Sequence, residues 1–318
     1  VQEFGPAGQT ASKPTVSVIV PTRNRPALLT RALASIAEQT FADFEVIVVN
    51  DGGTDVTAVI AKAHLQGRPL RCITHPSSLG AAAARNSGIR MSRGDYIAYL
   101  DDDDIYYPNH LEVLIHTARN TGARFFYSQS VHAKYSPHDG RRLWHRLHSD
   151  KQWDLECMLS RNRIPTLAVM HQRNCLDTTG YFDETLRTHE DWDLWIRMMQ
   201  HFPAVYVAEA TCEFQTRSGP DALTVGHRQN FLETMRAVHS RYLHLAEDRA
   251  RVQQQQQAVA QRLEAELFGP LKLLTPTLRW LNNARRTLMS GLGDEIMPRL
   301  KALAMQIAGF MPQPRRRS

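Results

Sequence analysis

Residues 15–55 read TVSVIVPTRNRPALLTRALASIAEQTFADFEVIVVNDGGTD, and the order of patterns within them decides the fold. Val16 to Val20 form a short β-branched run closed by Pro21, as expected of a strand covered on both faces. Leu29, Leu33, Ile36 and Ala37 then recur at helical spacing, after Asn24 and Pro26, which suit a helix entrance. A second β-branched run, Val46 to Val49, ends in Asn50, Asp51, Gly52 and Gly53. Strand, helix, strand predicts a parallel βαβ unit.

The alternation continues outward from that unit. A helix is expected over Val56 to His64, a strand at Arg71 to Thr74, an Ala-rich helix over Gly80 to Met91 and a strand at Tyr96 to Leu100. The expected architecture is therefore α/β, an open, mostly parallel sheet flanked by helices. Ligands of such sheets sit beyond the carboxyl ends of the strands. Asp51 and the run Asp101 to Asp104 both lie at those ends. After about Asn120 the pattern loosens, with strands expected in RFFYSQSVHAKY and TLAVMHQR. A helix comes next in GYFDETLRTHEDWDLWIRMMQ, whose Trp192, Trp195, Ile196 and Met199 mark a core stripe. Its first turn carries Glu190 and Asp191.

The 318 residues, 42% of them hydrophobic, can bury one large core or two modest ones. The first 14 are rich in Gly, Pro, Ser and Thr and are set outside the fold as a linker or remnant. The main domain is expected over residues 15–244, with a nucleotide-binding half at 15–104 and an acceptor half at 105–244. Beyond His244 a polar helix with Val252, Val259, Leu263 and Leu267 on one side opens a helical, basic extension over 245–318. From Leu271 onward nine Lys and Arg face two Asp and Glu, so the net charge of +6 belongs to the tail and the rest stands at −1. That balance gives the main domain no nucleic-acid signature. Cys72, Cys157, Cys175 and Cys212 are widely spaced, without a C-x-x-C pair, and are read as reduced thiols. Without a hydrophobic signal core or a run of about 20 apolar residues, the expectation is a cytoplasmic protein. Ile296, Leu300, Leu303, Ile307 and Phe310 share one helical face near Arg315 to Arg317. Such a basic amphipathic helix suits peripheral contact with the inner face of the cytoplasmic membrane, or packing and oligomerisation.

Four adjacent carboxylates repel one another, and a cation is the simplest device that holds several together at a strand end. Oxygen ligands without His or Cys favour Mg²⁺ or Mn²⁺. A solvated acidic loop is the plain alternative for the run, as a tight turn is for Asp51-Gly52 and dipole compensation for Asp191. Neither a P-loop nor a G-x-G-x-x-G fingerprint is present.

Taken together, VSVIVPTRNRPALLTRALASIAEQT, FEVIVVNDGGTD, GAAAARNSGIRMSRGDYIAYLDDDD and GYFDETLRTHEDWDLW resemble, in order and spacing, the inverting nucleotide-sugar glycosyltransferases of the GT-A (Rossmann-like) fold, a family that includes bacterial polysaccharide and O-antigen transferases. The resemblance covers roughly Thr15 to Asn230. It implies transfer of a sugar from a nucleotide donor, UDP-linked by family frequency, to a glycan or lipid-linked acceptor. It implies further that Thr22, Asn24 and Asp51 surround the base and ribose, with Arg85 on the floor of the same site. Asp101 and Asp103 match the D-x-D metal pair, Asp102 faces the ribose or sugar, and Asp104 caps the next segment of chain. Asp191, in HED, matches the catalytic base. Family members often carry a later loop that reaches the diphosphate; here Arg217, His227 and Arg228 are available, and Arg217 is the candidate. Two other functions compete with this one. A non-catalytic nucleotide-sugar-binding or scaffold module would bind without turnover, and a sugar nucleotidyltransferase would need a Gly-rich basic loop where PTRNRPALLTRAL stands.

Overall fold

The computed structural model of the chain describes residues 2–4, 13–63, 65–136, 141–148, 151–215 and 228–268. Among them, ten strands form one mixed sheet. In chain order these are β1 (Gln2–Phe4), β2 (Val16–Thr22), β3 (Phe44–Asn50), β4 (Leu70–Thr74), β5 (Tyr96–Tyr99), β6 (Ile105–Tyr106), β7 (Phe125–Tyr135), β8 (Arg142–His148), β9 (Val169–Gln172) and β10 (Ala204–Gln215). The spatial order is β1-β4-β3-β2-β5-β9-β7-β10-β6, with β8 paired to β7.

The expected βαβ unit is present. β2 runs parallel to β3 and to β5, and β3 parallel to β4. Every residue of β3 is buried, which explains its unbroken apolar run. Alternate residues serve opposite faces. Val46 and Val48 join the main core with Leu29, Leu33 and Ile36 of α1 (Pro26–Ala37), whereas Ile47 and Val49 pack with Ala84 of α3 (Ala81–Met91). Pro26 begins α1 with its φ already suited to a helix. The helix α2 is shorter than expected, Thr57–Lys62. Gly88 brings α3 close to the sheet, since a Cβ there would lie 2.5 Å from Ile19 Cγ2.

Beyond β5 the parallel order breaks. β9 inserts antiparallel between β5 and β7. β7 pairs with β9 only through Phe125–Tyr127; its distal residues, Ser130–Tyr135, pair with β8, while β10 runs parallel to it. Gln2–Phe4, within the first 14 residues expected to lie outside the fold, pairs antiparallel to β4 at the sheet edge. The helix α4 (His110–Thr121) follows β6, a four-residue helix α5 (Leu155–Met158) and a short α6 (Leu176–Thr179) flank β9 in sequence, and α7 (Glu190–Met199) precedes β10.

Among the described residues, two α-helices follow β10, α8 (Arg228–Tyr242) and α9 (Arg249–Phe268). Val1–Leu263 forms one compact unit and Glu264–Ser318 a second, of which only the end of α9 is described. The first turns of α9 pack on the main unit: Val252 is fully buried and Gln256 Nε2 donates to the Leu159 carbonyl at 2.9 Å. The amphipathic stretch from Ile296 to Phe310 and Arg315 to Arg317 lie outside the described residues. Among the described residues, no helix is long and apolar enough to cross a membrane.

Trp195 anchors α7 to the sheet. Its ring stacks on Phe125 at 5.7 Å and meets Tyr99 and Phe182 at 6.1 Å. Its buried Nε1 has no hydrogen-bond partner. Trp195→Ala should therefore cost about 3–5 kcal/mol in urea unfolding. Trp195→Phe, which loses no hydrogen bond, should cost less than about 2 kcal/mol.

Candidate active site

The carboxyl ends of β2, β3 and β5 lie side by side at one end of the sheet. From β2, Thr22 Oγ1 donates to Asp102 Oδ2 at 2.7 Å, and Arg25 reaches Asp102 and Asp103 at 3.1 and 3.3 Å. Asn24 takes a left-handed backbone, φ 56°, and its Oδ1 accepts from the backbone N–H and hydroxyl of Thr54, at 2.7 and 3.0 Å. The loops after β2 and β3 are thereby tied together.

At the end of β3, Asp51 is buried and surrounded by donors. His75 Nδ1, Ser78 Oγ and the backbone N–H groups of Leu79 and Gly80 lie 2.7 to 3.0 Å from its carboxylate. Burial works against its charge, and the Leu79 amide, Ser78, His75 and the Gly80 amide outweigh it, leaving the carboxyl below its ordinary value. Gly52 makes this docking possible, because at φ 66° a Cβ would fall 2.2 Å from the Ser77 carbonyl carbon. Asp51 thus fixes the 75–80 loop at the end of β3.

The four aspartates after β5 divide into two kinds. Asp101 and Asp103 keep 33% and 24% of their side chains exposed, whereas Asp102 keeps 5%. Burial pushes the Asp102 carboxyl up to about 6 against the opposing Thr22 bond. Asp104, which accepts from the Gln215 N–H at 3.3 Å, is raised well above its usual range by burial and by Asp103 and Asp101. Two carboxylates therefore face outward and two are folded in. The outward pair suits Mg²⁺ or Mn²⁺ by its all-oxygen chemistry. Among the described residues, no three His, Cys, Asp or Glu side chains converge as a finished metal cage. The pair fits a cation that takes its remaining oxygens from water and a bound phosphate.

Arg85, from α3, joins this run to the first turn of α7. Its Nη2 donates to both oxygens of Asp101 at 2.7 and 3.0 Å, and its Nη1 to Glu190 Oε1 at 2.6 Å. Burial opposes its charge, and Asp101 and Glu190 more than restore it, so its pKa is raised. Asp191 lies next to Glu190. Its Oδ2 accepts from Asn162 Nδ2 and Thr166 Oγ1, both at 3.0 Å, and its Oδ1 from the Trp192 N–H at 2.7 Å. Burial first, and then the Glu190 charge, push this carboxyl up to about 6 despite Arg85 and those bonds. The spacing of the motifs does not point to Glu190, Asn162 or Thr166. Only the acidity of the α7 first turn marks Glu190, while Asn162 lies in irregular chain and Thr166 opens a single 3-10 turn before β9.

Thr22, Asn24, Asp51, Arg85, Asp101, Asp102 and Asp103 are thus gathered at one end of the sheet, and Arg85 connects them to Asp191's turn. Arg217 and His227 lie outside the described residues, as does the Arg228 side chain.

The mixed sheet with this strand order has the GT-A fold. The chain matches the family described as glycosyl transferase family 2 over residues 17–177, about half its length, and belongs to that family. It is 31% identical over 189 residues to the uncharacterized glycosyltransferase YwdF of Bacillus subtilis, covering 59% of this chain and 69% of that one. An uncharacterized glycosyltransferase of Rickettsia typhi is 28% identical over 244 residues, covering 74% of this chain and 73% of its own. Among solved structures, Staphylococcus aureus TarS 1-349 in complex with UDP-GlcNAc superposes with a TM-score of 0.61 at 21% identity, covering 84% of this chain and 79% of that one. The mannosyltransferase PcManGT of Pyrobaculum calidifontis, in complex with GDP-Man and Mn²⁺, gives 0.54 at 18% identity, with 87% and 81% covered.

Arg85→Met should leave Asp101 and Glu190 without their shared cation and cost about 3–5 kcal/mol in urea unfolding. Arg85→Lys keeps the charge without the two-ended fork. It should recover only part of that loss, so a lysine variant as stable as the wild type would contradict the bridging role.

Proposed function

We propose that the protein is a metal-dependent, inverting glycosyltransferase that moves a sugar from a nucleotide diphosphate donor to a glycan or lipid-linked acceptor in one displacement. The observation that carries the reading is the Arg85 fork, which couples the aspartate run to the turn bearing Asp191. Donor end and proton acceptor are thereby held in one cleft.

The base and ribose are assigned to the pocket between the ends of β2 and β3, bordered by Thr22, Asn24 and the loop that Asp51 fixes. UDP is the first donor to test, on family frequency and on the TarS complex with UDP-GlcNAc. Mn²⁺ beside GDP-Man in PcManGT keeps other nucleotides in the panel and supports a divalent ion. Asp101 and Asp103 would hold that ion, Mg²⁺ or Mn²⁺, with Asp103 in direct contact. When bound, it neutralises the charge that grows on the departing diphosphate. Asp102, tied to Thr22 and Arg25, orients the run from beneath. Arg217 is assigned to the leaving diphosphate.

Asp191 takes the proton from the attacking acceptor hydroxyl. A carboxylate offers about four acceptor positions, and Asn162, Thr166 and the Trp192 amide occupy three. The remaining one, on Oδ1, is available to a hydroxyl. Glu190 is engaged by Arg85 instead, which favours a single general base over a covalent nucleophile in the same turn. Attack from the side opposite the leaving group inverts the anomeric centre.

Asp191→Asn should lower kcat by at least about a thousandfold while leaving donor-induced thermal stabilisation intact. Transfer at the wild-type rate would remove Asp191 from the base role. In the wild type, kcat/KM should fall about tenfold per pH unit below about 6, because protonation removes the base. Chelation should abolish both turnover and donor-induced stabilisation, and Mn²⁺ or Mg²⁺ should restore both; full turnover in excess chelator would contradict the roles of Asp101 and Asp103.

A further inference from the structure

The segment that orients Asp191 is gripped by the helices that follow β10. Met158, Leu159 and Ser160 are buried at the end of α5, and their carbonyls accept from different helices. Trp192 Nε1 of α7 donates to Met158 at 2.7 Å, Gln256 Nε2 of α9 to Leu159 at 2.9 Å and His239 Nε2 of α8 to Ser160 at 3.0 Å. A carbonyl only accepts, so Nε2 of His239 carries a proton. The His239 ring stands edge-on to Trp192, with centroids 5.3 Å apart, which fixes the direction of that donor. Arg251 of α9 bonds Glu156 at 2.7 Å and ties the same helix to α5.

Two residues beyond Ser160, Asn162 presents its side chain to Asp191. Its Oδ1 accepts from the Ile164 N–H at 3.1 Å, and its Nδ2 donates to Asp191 Oδ2. The amide is therefore held in one orientation. Ile164 is fully buried, and Thr166 begins the turn into β9 with its hydroxyl on the same Asp191 oxygen. Core and sheet thus fix the far end of the 160–166 segment, and the carbonyl contacts from α8 and α9 meet its near end.

We infer that His239 and Gln256 are positioning residues for the transfer: by holding the Ser160 and Leu159 carbonyls, they set the place from which Asn162 orients Asp191. The inference rests on the assignment of Asp191 as base. A hydrogen bond from Asn162 favours the charged carboxylate, and a displaced Asn162 gives up that support. Loss of either carbonyl contact therefore moves the Asp191 midpoint upward, and the acid limb of the reaction with it. The leading charged groups that act on Asp191, Glu190 on its own turn and Arg85 on α3, are untouched by such a change. Burial holds the His239 imidazole below its ordinary value against the Ser160 bond. Its neutral and cationic forms both donate from Nε2, so the contact persists through the range in which Asp191 titrates.

The test places carbon-13 in the aspartate carboxyls of the whole protein and follows the Asp191 resonance, assigned by its loss in Asp191→Asn, against pH. His239→Phe keeps a ring against Trp192 and removes the donor, whereas His239→Gln puts an amide N–H the same number of bonds from the backbone. The midpoint should rise by at least about half a pH unit in His239→Phe and return to within about 0.2 of the wild type in His239→Gln. Asn162→Ala should raise it as well, and adding His239→Phe to that protein should raise it no further, because the histidine acts through the amide. Gln256→Met should shift it in the same direction, and stands in for His239→Phe should that protein not fold. An unmoved midpoint in a folded variant overturns the role of the residue changed. A glutamine variant displaced as far as the phenylalanine one, or additive effects at 239 and 162, overturns the role of His239. The acid limb of kcat/KM should move with the midpoint. A midpoint that moves while the limb stays in place removes Asp191 from the base role and leaves the positioning intact, so the two failures are distinguishable.

Discussion

A buried guanidinium between two carboxylates is the constraint on which the cleft depends. Arg85 leaves α3, bonds Asp101 at the end of β5 and Glu190 at the start of α7, and so fixes the distance between two acidic elements that would otherwise repel. The neighbouring residue on the helix strengthens the arrangement. Asn86 donates to the Phe182 carbonyl and Glu184, and accepts from the Phe182 N–H, so the chain leading into α7 is held by the same helical turn. The close seating of α3 follows from small residues, with Ala84 against Ile47 and Val49 and Gly88 against Ile19. A larger side chain at Gly88 would lift the helix and with it the fork.

The aspartate run is consistent with its position because only half of it behaves as surface. Asp102 and Asp104 are folded inward onto Thr22, Arg25 and the Gln215 amide, and burial pushes both upward. Asp101 and Asp103 face outward beside cationic partners. Turning two of the four groups inward, Asp102 onto Thr22 and Arg25 and Asp104 onto the Gln215 amide, offsets part of the repulsion that four adjacent carboxylates would otherwise suffer, and Arg85 and Arg25 balance Asp101 and Asp103.

The parallel half was legible because its strands are buried on both faces, so β2, β3 and β5 stand out as β-branched runs and their carboxyl ends identify the cleft. The second half lacked that signal. β9 lies where a strand was expected in TLAVMHQR, but β6 is two residues long and β10 mixes Glu209, Thr211 and Glu213 with apolar residues, so neither length nor alternation announces those two. β8 is exposed from Arg142 to Leu147 and reads as polar loop. Asp51 lies at the end of β3, where the sequence places it, but sequence could not reveal that its oxygens would bind the 75–80 loop, since those donors lie on an irregular segment. Apart from the family resemblance, which singles out Asp191, Glu190 and Asp191 look equivalent in sequence. Only the direction of Arg85 on one side, and of Asn162 and Thr166 on the other, separates them.

That separation requires α7 to be held against rotation, and its far side supplies the hold. Asp193, fully buried, accepts from Arg197 Nε at 2.9 Å, Arg241 Nη1 at 2.6 Å and the Tyr242 hydroxyl at 2.7 Å. Arg241 also reaches Asp183, so α8 joins α7 and the loop before it. A rotation of α7 that exchanged Glu190 for Asp191 in the cleft would break this network and withdraw Trp195 from Phe125 and Tyr99. Each loss leaves buried charge unpaired or an apolar cavity behind, at about 3–5 kcal/mol apiece. The three acidic residues of this one helical turn, Glu190, Asp191 and Asp193, therefore keep distinct partners. Glu190 faces the Arg85 fork, Asp193 faces α8, and Asp191 alone is turned toward the wall formed by residues 161–166.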